Sequence, residues 1–183
     1  MELFDIYNMN REKTGRIIPR SDKLKDGEYH IVVHICLVNS RGQMLVQQRW
    51  PSKRSWGNMW DISVGGSCIS GETSAEGAHR EVLEEIGLDI NFSNIRPSLT
   101  VNFADGFDDI YVIPYDCEPF LLRLQDEEVQ AVEWADKEDI FRMIDSGEFI
   151  PYHKALIELM FHFVNHCGTY TRDDDREKGR SLA

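Results

Sequence analysis

Apolar and polar positions along the 183-residue chain fall first into short alternating runs and only later into helical periods. Leu3 to Tyr7 reads as a short strand, followed by a polar turn and a second strand around Arg16 to Ile18. The charged stretch SDKLKDGE closes this part. From Tyr29 to Val38 the chain is apolar and rich in β-branched residues, up to the turn Asn39-Ser40-Arg41-Gly42. With the run Met44 to Arg49 it predicts a β-hairpin. Trp60 to Val64 reads as another strand, leading into Gly65-Gly66. A helix is expected over Ser74 to Ile86, because Thr73 and Glu76 have capping-box spacing and Gly87 is placed to end it.

Two more strands are expected around Ser98 to Phe103 and Ile110 to Asp116. Pro114 in the second predicts an edge position or a bulge. The acidic loop Gln125-Asp126-Glu127-Glu128 precedes a last strand, Val129 to Trp134. A short helix from Lys137 to Asp145 and a longer one from Tyr152 to Cys167 follow. In the longer helix Leu156, Leu159, Met160, Phe163, Val164 and Cys167 form an apolar stripe at helical spacing. The tail from Thr171 is polar. Together these elements predict an α/β (α+β) sandwich, a mixed sheet flanked by helices. They divide into a β extension over 1–28, a main domain over 29–168 and a tail over 169–183. Strands do not alternate regularly with helices, so a doubly wound nucleotide fold is not expected.

Composition narrows the function. Hydrophobic residues make up 42% of the chain, enough for a core without staples. The 20 basic and 32 acidic residues give a net charge of −12. So acidic a surface argues against nucleic acid and anionic membranes as partners. It suits a site that gathers divalent cations, and equally a merely solubilising surface. Cys36, Cys68, Cys117 and Cys167 are scattered, with no CxxC pair, and read as incidental thiols of a reducing compartment. No apolar run approaches the ~20 residues a membrane span needs. The opening MELFDIYNMNREK lacks the order of a signal peptide, so a cytoplasmic location is expected.

The informative segment is GGSCISGETSAEGAHREVLEEIGL, residues 65–88. On a helical wheel Ala75, Ala78, Val82, Leu83 and Ile86 share one face and Glu81, Glu84 and Glu85 the other. Three carboxylates at i, i+3 and i+4 repel, and they sit at the end of the helix where the dipole disfavours them. A hard cation such as Mg²⁺ or Mn²⁺ reverses that cost. A solvated acidic face is the alternative.

The run from Gly66 to Leu88 resembles the Nudix box, G-x5-E-x7-R-E-U-x-E-E-x-G-U, with U a bulky aliphatic residue. Gly66, Glu72, Arg80, Glu81, Val82, Glu84, Glu85, Gly87 and Leu88 match without a gap. The resemblance implies a Nudix-type α/β/α sandwich and a box that binds Mg²⁺ or Mn²⁺ and activates water against a diphosphate. By the same resemblance Glu81, Glu84 and Glu85 are expected metal ligands, with the Gly65 carbonyl a further one. Arg80 would orient Glu81, while Gly66 and Glu72 would support the loop. Relatives often recruit one more carboxylate from outside the box; Glu128 is the first candidate and Glu127 the second, against an ordinary charged loop.

A further resemblance, over CLVNSRGQMLVQQRWPSKRSWGNMWDISVGG, is to isopentenyl-diphosphate isomerases and their hydrolase relatives. It implies that Arg49 and Lys53 hold the substrate diphosphate. The isomerase reaction needs a cysteine where this chain has Gly65, and a ligand histidine where it has Ser67. His30 matches one ligand histidine, but Lys23 stands at the other upstream position. His30 and His34, on one face of their strand, read as packed or hydrogen-bonded, and His79 as structural. Trp50, Trp56 and Trp60 either stack on a base, line an apolar pocket or anchor their loop.

Three functions are therefore weighed. A metal-dependent hydrolase of a nucleoside diphosphate linked to a moiety X, or of a related organic diphosphate, leads. Its proton acceptor would be Glu81 or an acid of the Glu127–Glu128 loop. An isopentenyl-diphosphate isomerase is disfavoured by Gly65 and Ser67. A non-catalytic nucleotide-sensing module is disfavoured by the intact box. Nucleoside triphosphates, nucleotide sugars, ADP-ribose, coenzyme A and CDP-alcohols all stay open as substrates, as does a homodimer.

Overall fold

The computed structural model describes residues 2–164 and Gly168. Among the described residues, nine strands and three α-helices run in the order β1 (Leu3–Tyr7), β2 (Lys13–Pro19), β3 (His30–Val38), β4 (Met44–Arg49), β5 (Trp60–Ile62), β6 (Val64–Ser67), α1 (Ser74–Ile86), β7 (Leu99–Phe103), β8 (Gly106–Pro114), β9 (Val129–Ala135), α2 (Lys137–Ser146) and α3 (Lys154–Phe163). β1 and β2 form a separate two-stranded antiparallel sheet, and the other seven strands form a mixed sheet. Alternation along β3 divides the core. Ile31, Val33, Ile35 and Leu37 pack with Ala78, Val82 and Ile86 of α1. Cys36 and Val38 pack with Ile140 of α2 and with Ile157 and Met160 of α3. The result is an α/β/α sandwich with a mixed sheet, as the element pattern predicts.

α1 begins and ends where its capping residues place it. The Thr73 hydroxyl accepts from the Glu76 N–H, and the Glu76 carboxylate accepts from the Thr73 N–H at 2.7 Å. Gly87 closes the helix at φ 73°, a left-handed conformation that costs glycine no Cβ clash.

Four expectations need correction. β3 and β4 are not a simple hairpin: they share one register pair, Val38–Met44, and then diverge, β3 to β6 and β8 and β4 to β5 and β9. The Trp60-to-Val64 run is two strands, because the chain leaves β4 after Ile62 and joins β3 at Val64. The glycine pair therefore lies within β6. Pro114 does not mark an edge. β8 lies between β3 and β7, and Pro114 is its last residue, where the ladder with β3 ends. Finally, the apolar faces of two helices are rotated from their expected places. Leu83 is 46% exposed, and on α3 Ile157 is buried while Leu159 is exposed. Cys167 and the tail lie outside the described residues.

Candidate active site

The candidate site lies where β3 and β4 part, between β6, the flank of α1 and the loop before β9. Helix geometry sets the carboxylates. Glu81 and Glu85 are four residues apart, so they stand about 40° from each other around the axis, one turn apart. Glu85 falls beside Val82 and Ile86 and is buried with them. The carboxylates thus run along the border of the buried arc instead of opposing it. Glu84, further round, is half exposed.

One arginine organises the cluster. Arg80 donates from Nε and Nη2 to the two Glu72 oxygens at 2.7 and 3.0 Å, a bidentate grip. Its Nη1 reaches Glu81 at 2.9 Å and Glu84 at 3.2 Å, and Nη2 also donates to the Ser67 carbonyl at 3.0 Å. Those carboxylates hold its guanidinium firmly charged. Glu72 in turn accepts from the Ile69 N–H at 2.9 Å and so fixes the loop between β6 and α1.

The two glycines of β6 fit the same arrangement from opposite faces. A Cβ on Gly66 would lie 2.1 Å from the Glu81 carboxyl carbon. A Cβ on Gly65 would lie 2.6 Å from His34 Cδ2. The cysteine that an isomerase needs here therefore has no room while His34 keeps its place.

Electrostatically the cluster is under-compensated. Burial pushes the Glu85 carboxyl up to about 8, with the nearby Glu81 charge adding to the effect and one hydrogen bond from Gln47 Nε2 at 3.0 Å opposing it. Burial likewise raises Glu81, against the pull of Arg80. Gln47 Oε1, beside Glu85, is buried without a partner. Among the described residues no three histidine, cysteine or acidic side chains converge into a preformed metal centre. What is present is an all-oxygen donor set: the buried Glu85, the partly buried Glu81, whose Arg80 partner is shared with Glu72 and Glu84, and an orphaned amide oxygen, and this suits a hard divalent cation.

The remaining sequence candidates stand around this cluster. Glu128 forms an ion pair with Lys53, and its charge reaches Glu85. Glu127, at φ 69°, is exposed in the turn before it. The Arg49 side chain is mostly buried; Nη1 lies 3.5 Å from Asp61 and Nε has no partner. Beside Glu84 lies a groove of about 440 Å³, lined by Leu83, Gly87, Arg123, Leu124, Gln125 and Asp126. Trp56 is half exposed, with φ 55°. His30 stacks on Phe4, with centroids 5.0 Å apart, and His79 lies 2.9 Å from Asp89.

Sequence reasoning missed Gln47, Asp61, Asp108 and Tyr152. Asp61, almost fully buried, accepts from the Tyr152 hydroxyl at 2.8 Å. His34 Nδ1 lies 2.8 Å from both Asp108 oxygens. For Gln47, Asp61 and Asp108 the signal was a polar residue inside a strand, Tyr152 lies in the loop before α3, and no motif surrounds any of them.

The NUDIX domain family matches residues 28–157. The chain is a member of the Nudix family. An uncharacterised Nudix hydrolase of Listeria innocua is 47% identical over 152 residues, covering 83% of this chain and 90% of the relative. The crystal structure of a Deinococcus radiodurans protein superimposes with a TM-score of 0.70 at 30% identity, covering 87% of this chain and 97% of that one. An isopentenyl-diphosphate isomerase of Corynebacterium glutamicum is 29% identical over 136 residues, covering 69% of this chain and 72% of the relative. This Nudix chain thus matches family relatives over most of both chains, and its similarity to the isomerases is lower.

Proposed function

We propose that this Nudix protein is a Mg²⁺- or Mn²⁺-dependent hydrolase of a nucleoside diphosphate linked to a further group, or of a related organic diphosphate, on the branch that resembles isopentenyl-diphosphate isomerases. The observation that carries this reading is the pair Glu81 and Glu85, one turn apart, Glu85 buried without a cationic partner and Glu81 partly buried on an arginine it shares with Glu72 and Glu84. Burying Glu85 contributes no stability in its charged form, since desolvating a carboxylate without a cationic partner costs free energy. Glu81, Glu84 and Glu85, with the Gly65 carbonyl, would hold the cation. When bound, it would supply charge neutralisation at the diphosphate and acidify a water.

The chain's own residues supply the rest. Arg80, gripped by Glu72, holds the Glu81 carboxylate against the Gly66 backbone. Arg49, with its unpartnered Nε, and Lys53 offer positive charge to the non-bridging phosphate oxygens. Water attacks one phosphorus, the bridging oxygen leaves with the other phosphate, and the water proton passes to a carboxylate. Glu81 or Glu128 takes that proton. Lys53 is paired with Glu128 in the free protein, so substrate binding competes for it.

The test is release of phosphate and nucleotide from a panel of organic diphosphates, prenyl diphosphates included, with Mg²⁺ or Mn²⁺. Glu84 is half exposed, so Glu84→Gln should leave folding intact while lowering turnover about a hundredfold or more. Wild-type turnover by the folded variant would overturn the assignment.

A further inference from the structure

The buried polar chain between β5 and α3 takes no part in the box, yet it ends on Arg49. The Tyr152 hydroxyl donates to Asp61 Oδ1 at 2.8 Å, and the Ile62 N–H donates to the same oxygen at 2.8 Å. The other oxygen, Oδ2, faces Arg49 Nη1 at 3.5 Å. Arg49 thus has one long contact at one end of its guanidinium and a bare Nε at the other. A mostly buried guanidinium held so lightly is aimed by whatever fixes its single carboxylate.

We propose that Tyr152 is a positioning residue: through Asp61 it fixes the direction in which the Arg49 guanidinium is presented to the substrate diphosphate. The proposal rests on the reading of Arg49 as a diphosphate-holding residue.

Tyr152 is itself well placed. Residues 148–150 pair along the outer side of β5, with Trp60 N–H to the Glu148 carbonyl at 2.8 Å and Ile150 N–H to the Trp60 carbonyl at 2.9 Å. The Tyr152 ring packs edge-on against both Phe149 and His34. His34 Nε2 lies 3.4 Å from its oxygen, and Asp108 anchors that imidazole from the far side. Burial and the Asp61 charge keep the phenol protonated, so it is a fixed donor and Asp61 its acceptor. A segment between two helices on the far face of the sheet therefore sets the geometry of a residue at the site.

Tyr152→Phe removes the hydroxyl and keeps the ring. Binding of inorganic pyrophosphate in the presence of Mg²⁺ would be titrated for the wild type, Tyr152→Phe, Arg49→Ala and the double variant. Side-chain ¹⁵N relaxation would report the order of Arg49 Nε. Tyr152→Phe should weaken pyrophosphate binding about tenfold, near 1.4 kcal/mol, with the protein still folded at the assay temperature and a more mobile Arg49 Nε. In the Arg49→Ala background it should have no further effect. An equal loss in that background, or an Arg49 Nε as ordered as in the wild type, would overturn the positioning role. If Arg49→Ala alone leaves pyrophosphate binding unchanged, the diphosphate role of Arg49 fails instead.

Discussion

Glu81 and Gly66 occupy what would otherwise be one side chain's space, so position 66 reports directly on the carboxylate. Gly66→Ala places a methyl carbon 2.1 Å from the Glu81 carboxyl carbon, and Glu81 must swing away from Arg80. We expect metal-dependent turnover to fall about a hundredfold with the far-ultraviolet circular dichroism unchanged, measured on the substrate the panel identifies. Glu85 gives a pH prediction. Its carboxyl lies at about 8 in the fold against an ordinary 4.5, so the folded state binds the extra proton. In chelator, the stability this group contributes is complete below about 4.5 and is lost as pH rises through about 8. Melting in EDTA should therefore drop between pH 6 and 8.5, Mg²⁺ should restore it most at the alkaline end, and Glu85→Gln should abolish the slope. The box acids were legible because their spacing is rigid: Glu72, Arg80, Glu81, Glu84 and Glu85 sit within fourteen consecutive positions. Asp61, Asp108 and Tyr152 were not, because only the folded chain brings segments so distant in sequence onto His34 and Arg49.

At the scale of elements, Ser63 makes the divergence of β3 and β4 possible. It is fully buried, accepts from the Leu37 N–H at 2.8 Å and donates to the Leu45 carbonyl at 2.5 Å. One hydroxyl thus serves a backbone group on each of the two strands where their own ladder has stopped. Ser63→Ala strands both groups out of reach of water, and we expect a loss of about 2–3 kcal/mol in urea unfolding. The same residue explains the misread strand. In sequence Trp60 to Val64 alternates apolar and polar residues without a break, and nothing in its pattern says that the pairing partner changes at its fourth residue. α1 was readable to the residue because both caps are local, whereas Pro114 misled because a strand's neighbours are decided far away in the chain.

Over the whole molecule, the two-stranded sheet is tied to the sandwich by the Tyr7–Tyr29 backbone pair, by the stacking of Phe4 on His30 and by two carboxylates, Asp5 and Asp109. Asp5 accepts from the Ser70 hydroxyl at 2.8 Å and the Gly71 N–H at 2.9 Å, which grips the loop leading into α1. Arg11 pairs with Asp109, a carboxylate with no exposure at all. Arg11→Met leaves that charge with the Thr100 hydroxyl alone, and a loss of about 3 kcal/mol is expected in chemical denaturation, largely relieved by adding Asp109→Asn. The sandwich was foreseeable from the element order, but the attachment of residues 2–28 to the loop of the box was not. At β6 Gly65 and Gly66 put no side chain on either face of the sheet. The His34 ring presses on one side and the Glu81 carboxylate on the other, with a single thickness of peptide between them. Elsewhere side chains on both faces of the sheet stand between α3 and α1; at this diaphragm only the peptide does, and a displacement of the His34 ring is passed straight to the Glu81 carboxylate.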